Sequence, residues 1–367
     1  MFQKISNWLA TDHNSKSTLV HIEFLRILAI FLVLFNHTGT NGFFLFADEL
    51  DSPFFPFYIF LSIADKIAVP IFFMIAGALL LGKEESIRDV YTKRVFRYIV
   101  ILVVVSFLYW LWQFHYNISV ATLRVFWKKL YSHHMSTQLW YLYSYIGLLI
   151  MLPLLRKLAG VLKKNDYIYL FIIHIIFIGV IPVIQYLLGK GNYYLSSDIS
   201  VPIFTSKCIF YALMGYYAER VFDINNVKKR DIIACILTSL IAIGISCFMT
   251  MYRADVTGEL GEKVSQEFHE RLIAIPTIST YVLVKYIFAK RKISKKLKNI
   301  ILLVGSTTFG IYLMEGMLRS YLYFVYSFYA PYIGTLPACI LWIVLCICVG
   351  CGITLILKRI PIIKKFL

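Results

Sequence analysis

Ten stretches of this chain are apolar over a length that can cross a bilayer, and that repetition constrains the fold more than any single motif. Read between charged or Gly- and Pro-containing breaks, they lie near 22–42, 56–82, 98–115, 138–155, 167–188, 202–220, 232–251, 271–289, 300–322 and 336–357. A helix needs about 20 mostly apolar residues to cross the hydrocarbon core. The expected fold is therefore all-α: a polytopic membrane protein of about ten transmembrane helices, one domain over residues 1–367 that begins with a short polar segment, 1–21. With 59% hydrophobic and 16% charged residues, the chain leaves no room for a separate soluble catalytic domain. The first apolar run has no A-x-A-like cleavage site, so the first helix is expected to stay.

The formal net charge of +17 could suit nucleic acid, but Lys and Arg sit in short clusters between apolar runs, where membrane topology puts them. With the N-terminus cytoplasmic, 25 of the 37 Lys and Arg fall in the alternate segments 1–21, 83–97, 156–166, 219–231, 290–298 and 358–367. The loops on the other side hold six. Both termini are thus expected in the cytoplasm, the bilayer is the expected partner, and no nucleic acid is. The longest outer loop, 254–270, reads as a short surface helix without catalytic character. The seven cysteines lie inside apolar runs, which argues against a disulfide framework. The cluster CICVGC, Cys346 to Cys351, has no nearby His or carboxylate and reads as core packing rather than a metal site. Lipid-facing and partner-facing apolar surfaces look alike, so a homo-oligomer is compatible with the pattern and not specified by it.

The first span, LRILAIFLVLFNHTGTNG, Leu25 to Gly42, carries two residues that a bilayer rejects, Arg26 and His37. Eleven residues apart on a helix, they differ by about 16 Å in height and about 20° in direction, so they share a face. Arg26 alone reads equally well as a snorkelling anchor. An intramembrane His is a functional candidate by default, and a neutral imidazole is what a general base requires. Elsewhere, His133-His134 reads as a solvated surface pair. His174, amid IIHIIF, reads as a buried hydrogen-bonded histidine or a pore residue, and Asp65-Lys66 as an interfacial ion pair. There is no P-loop, HExxH, GxSxG or dinucleotide fingerprint.

Arg26, ten residues, then His37 is similar to the mark of the acyltransferase-3 family, bacterial multi-span enzymes that acylate cell-surface glycans. AVPIFFMIAGALL, Ala68 to Leu80, followed by Arg94-Val-Phe-Arg97, resembles the same family, as do LWYLYSYIGLLIMLPLLRK, Leu139 to Lys157, and TTFGIYLME, Thr307 to Glu315. Two departures stand out: Ala76-Gly77 where the family usually has Ser-Gly, and Glu315 where it commonly has His. The resemblance implies an acyl-coenzyme A donor, most commonly acetyl-coenzyme A, on the cytoplasmic side of a bacterial inner membrane, with no metal. It implies a hydroxyl of a cell-surface or lipid-linked glycan as acceptor on the outer side. Under it, Arg26, Arg94 and Arg97 bind the donor's phosphates, where the pair 94 and 97 alone would read as ordinary cytoplasmic charge. His37 is the base, Glu315 orients it, and Asn36, Trp140 and Tyr143, with Arg319 as a second partner for Glu315, complete the expected substrate-binding set. An acyl-histidine intermediate is also compatible. The competing class is a transporter or flippase, since mid-membrane charges and two halves of five spans would also suit movement of a polar solute.

Overall fold

In the computed structural model, which describes residues 19–48, 52–115, 118–190, 201, 206–258 and 265–367, the apolar runs are helices and no described residue is in a strand. The bilayer explains this, because a helix satisfies its own backbone where no water can. The first half of the chain comprises α1 (Val20–Asn36), α2 (Phe55–Asp65), α3 (Ala68–Leu80), α4 (Phe96–Gln113), α5 (Val120–Ser132), α6 (Trp140–Val161), α7 (Lys164–His174) and α8 (Ile181–Leu188). The second comprises α9 (Lys207–Tyr216), α10 (Lys229–Thr257), α11 (Ala274–Lys290), α12 (Lys295–Gly305), α13 (Thr308–Tyr321), α14 (Tyr323–Ile333) and α15 (Thr335–Leu357).

Among the described residues, seven helical segments are long and apolar enough to cross a membrane, and the pair α12 and α13, bent by 58°, adds an eighth if it is one span. The two remaining expected spans are shorter helices. α1 has 17 residues, about 25 Å at 1.5 Å per residue, because the chain leaves the helix at Asn36 and turns through Thr38–Gly42 instead of continuing to 42. α9 with its π turn covers Lys207–Val221, and residues 202–205 of that expected span lie outside the described residues. So do 1–18 of the polar N-terminal segment, most of the expected loop 189–201, and 259–264 of the loop 254–270. The described end of that last loop is not a surface helix: Ser265–Glu270 is a 3-10 turn in which Phe268 and His269 are fully buried.

Two helices of more than ten residues form where the sequence reads as loop, among the described residues. α5 starts with a reciprocal cap between Ser119 and Thr122, satisfying N-terminal donors that the helix itself cannot. It is pinned by Trp110 Nε1 donating to Thr122 O at 2.9 Å. α14 follows α13 directly and ends at Gly334, whose φ of +88° suits a residue without a side chain. Outward faces are apolar and exposed, as a lipid-facing surface must be: Ile233, Leu237, Ile241 and Phe248 on α10 are all more than half exposed.

The tightest helix crossing sets where the site forms. A Cβ on Gly77 of α3 would lie 1.8 Å from Ala212 O of α9, and one on Gly215 of α9 would lie 1.9 Å from Met74 O of α3. The two glycines thus bring the backbones together reciprocally, as small residues do between membrane helices. The departure at Ala76 leaves this crossing intact, because the glycine beside it makes the contact. α1 joins two packed groups: Ile22, Leu25 and Ala29 pack with α3, α6, α9 and α11, whereas Ile30, Leu34 and Phe35 pack with α4, α13 and α15.

Candidate active site

Between these groups lies a cavity of 1010 Å³ whose wall includes Arg26 and His37, so both unusual residues of the first span face it. Breaks in the helices meet there. His37 follows the end of α1, Lys66 interrupts the span between α2 and α3, and a π turn over Val90–Val95 precedes α4 and carries Arg94. Another π turn, Ile175–Val180, follows His174, and Ser306 sits at the bend between α12 and α13. Irregular backbone is tolerated at membrane depth where it lines a cavity, and π turns recur at functional sites.

At one end the wall presents Arg26, Lys83, Arg94 and Arg97. The carboxylates that pair with Arg26 and Arg94 sit off the wall. Glu23 accepts from Arg26 Nη1 at 2.8 Å. Glu85, in the short segment between α3 and the π turn, accepts from Arg94 Nε at 2.7 Å and from Arg94 Nη2, and also from Arg156 Nη2 at 2.9 Å. The hydrogen-bonded Arg94 guanidinium is the main reason that the Glu85 carboxyl falls from its ordinary 4.5 to about 2. Arg97 has no carboxylate partner among the described residues; its Nε is buried without a hydrogen bond, and its guanidinium lies 5.9 Å from the centre of the Tyr98 ring.

Between the two ends, five rings on the wall form a closed circuit drawn from α4, α6 and α13. Tyr98 meets Tyr145 at 4.7 Å between centroids, Tyr145 meets Tyr141 at 5.8 Å, and Tyr141 meets Tyr312 at 5.6 Å. Tyr312 meets Phe309 at 6.3 Å, and Phe309 returns to Tyr98 at 5.7 Å. Gln138, also on the wall, accepts from Tyr312 through its backbone carbonyl at 2.7 Å and donates to Tyr109 at 2.6 Å.

At the other end, His37 Nδ1 lies 2.9 Å from Glu315 Oε1, an ion-pair distance reached off the ideal hydrogen-bond axis. Arg319 Nε donates to Glu315 Oε2 at 3.1 Å, and Arg319 Nη1 donates to the backbone carbonyl of His37. The sequence offered Arg319 and His37 as alternative partners for Glu315, and the carboxylate takes both. With Nδ1 turned to Glu315, Nε2 is the ring nitrogen left for a ligand. Glu315 itself is fully buried and stands behind His37 rather than on the wall.

The expected residues divide by place. Arg26, Asn36, His37, Arg94, Arg97 and Trp140 line the cavity. Arg319 and Tyr143 do not; Arg319 supports Glu315 and His37, and the Tyr143 hydroxyl donates to Leu130 O at 2.7 Å, tethering α5. His174 lines the wall, stacked on Phe210 at 3.6 Å, and His133 and His134 are exposed. Asp65, expected as half of an interfacial ion pair with Lys66, is buried, and its carboxylate accepts from Asn36 Nδ2 at 2.9 Å. Glu270 and Arg271, from the loop that reads as non-catalytic, also reach the wall. The aromatic circuit and Gln138 carried no signal in sequence, since rings spaced along a span read first as core or interface.

No curated protein and no solved structure matches the chain. A family model described as an acyltransferase domain matches residues 19–357, nearly the whole length, and takes in α1 through α15 with the cavity they enclose. This chain belongs to the acyltransferase-3 family.

Proposed function

We propose that this multi-pass membrane acyltransferase moves an acyl group, acetyl in the first instance, from acyl-coenzyme A to a hydroxyl of a cell-surface or lipid-linked glycan, in a bacterial inner membrane. The observation that carries the reading is one cavity joining a cationic wall to the His37–Glu315–Arg319 group. Arg26, Lys83, Arg94 and Arg97 supply the guanidinium and ammonium groups that phosphates favour, and with a cytoplasmic donor this end of the cavity would face the cytoplasm. The pantetheine arm then runs along the aromatic wall and presents its thioester near His37.

In this mechanism the acceptor hydroxyl attacks the thioester carbonyl as His37 Nε2 takes its proton. The new C–O bond forms, the C–S bond breaks, and the proton passes from His37 to the departing thiolate, so an ester and free coenzyme A leave and the imidazole is regenerated. Glu315 fixes the ring and stabilises the transient imidazolium, and Arg319 fixes Glu315. Asn36 uses one Nδ2 hydrogen on Asp65 and has a second for the developing oxyanion.

Purified protein in detergent should release free thiol from acetyl-coenzyme A in the presence of an acceptor, and His37→Ala should lower that rate by about 10²–10⁴-fold while coenzyme A still binds by calorimetry. Wild-type turnover in the variant overturns the assignment of the base. Activity that appears only in sealed vesicles and leaves the thioester intact overturns acyl transfer in favour of transport.

A further inference from the structure

Asp65 ends α2 at the break in its span and is 1% exposed, yet it is part of the cavity wall. Its Oδ2 accepts from Asn36, but its Oδ1 is buried without a hydrogen-bond partner. A carboxyl oxygen left unsatisfied at membrane depth is costly, and buried polar atoms of this kind are rare enough to call for a reason. The lysine beside it does not supply the missing bond: Lys66 Nζ sits 4.6 Å from the centre of the Phe43 ring. The clasp is specific in position. Asn36 immediately precedes His37 in the chain, so the bond from Asn36 ties Asp65 to the point where the base leaves α1.

We infer that Asp65 is the acceptor-selecting residue: a small turn of its carboxyl brings the unpaired Oδ1 to the cavity, where it takes a hydrogen bond from a second hydroxyl of a polyol while a first hydroxyl reaches His37. This rests on the acyl-transfer reading and adds to it the residue that selects the acceptor. A single alcohol satisfies His37 and leaves Oδ1 bare, whereas neighbouring hydroxyls on one ring satisfy both. A site with a buried group waiting for a hydroxyl rejects a ligand that lacks it far more strongly than an apolar pocket rejects a missing methylene. The selection therefore favours saccharide-like diols over matched mono-alcohols.

The test uses full-length protein in detergent with acetyl-coenzyme A and two uncharged probes of one ring size, trans-1,2-cyclohexanediol and cyclohexanol. The wild type should show kcat/KM for the diol on the order of tenfold or more above that for the mono-alcohol, the discrimination expected when a buried polar atom is paired rather than left unsatisfied. Asp65→Leu leaves no polar atom where the unpaired oxygen was and should bring the ratio close to one, chiefly through the KM of the diol, with coenzyme A affinity retained. A residue that only supported the fold would lower both rates together and leave the ratio unchanged. A ratio preserved in Asp65→Leu overturns the inference. So does a wild-type ratio near one or thiol release that responds to neither alcohol, both of which need no variant. A wild type that neither binds coenzyme A nor releases thiol overturns the acyl-transfer reading itself.

Discussion

Glu315 and Glu85 each sit between two basic side chains, and their surroundings give them opposite characters. Glu315 lies between His37 and Arg319 and is 0% exposed; Glu85 lies between Arg94 and Arg156 with its side chain 26% exposed. The first is closed on all sides, because Arg319 also holds the backbone of His37. Removing one member of such a buried group leaves a charge that neither water nor another residue covers. The second lies in a segment between helices, where water can replace any one contact and ion pairs add little to stability. Burial turns the first arrangement into a fixed orienter of a ring, whereas exposure leaves the second able to exchange its carboxylate for an incoming phosphate.

The largest effect should come from the buried carboxylate. Glu315→Gln keeps the shape but removes the charge, and it should slow thiol release by about 10²–10⁴-fold and destabilise the protein by about 3–5 kcal/mol, read from thermal unfolding in detergent. Coenzyme A affinity should hold, since Glu315 is off the wall. A variant as active and as stable as the wild type would erase the contrast between the two groups.

Next in size are the arginines of the cationic end. Arg97→Ala removes a guanidinium with no carboxylate partner among the described residues, so all of its charge is available to a phosphate, and coenzyme A binding should weaken by about 1.5–3 kcal/mol. Arg94→Ala should cost less, because Glu85 already shares that guanidinium. Calorimetry giving the reverse order would show that the Glu85 contact prepares Arg94 rather than competing with phosphate. Lysine at either position should recover only part of the loss, for want of the bidentate fork.

The same division between smooth and interrupted structure decides what could be read in advance. Long uninterrupted spans such as α10 and α15 were plain in the hydropathy pattern, because nothing in them competes with an apolar helix. The site lies where that pattern fails. α1 stops at Asn36 and a span breaks at Lys66, since turns there place side chains on a cavity, and local hydropathy does not register a turn. Arg26 and His37 stood out because charge inside a span is rare. Asp65 was hidden by its neighbour Lys66, as adjacent opposite charges read as a pair until the backbone turns between them. Glu270 and Arg271 were hidden by a polar loop whose end folds inward with Phe268. Contacts such as Glu315 with His37 depend on how α13 packs against α1, which no local stretch encodes.

The smallest effect tests the exchangeable group directly. Arg94 holds the Glu85 carboxyl near 2, below its ordinary 4.5, so the folded state favours the charged form more than the unfolded chain does. The sign follows: the stabilisation is fully present above pH 4.5 and is lost as pH falls from there toward 2. The difference in unfolding temperature between wild type and Glu85→Gln should therefore be flat from pH 7 to pH 5 and should shrink below pH 4.5. Its size should be modest, given the exposure of the pair. Saturating coenzyme A sharpens the comparison. If phosphate takes Arg94 from Glu85, the carboxyl loses the contact that lowered it, its folded and unfolded values converge, and the window of loss should narrow toward pH 4.5 as the difference shrinks. A difference that fades at pH 6, or a window unmoved by coenzyme A, would mean that Glu85 is as fixed as Glu315 and that the two groups differ only in depth.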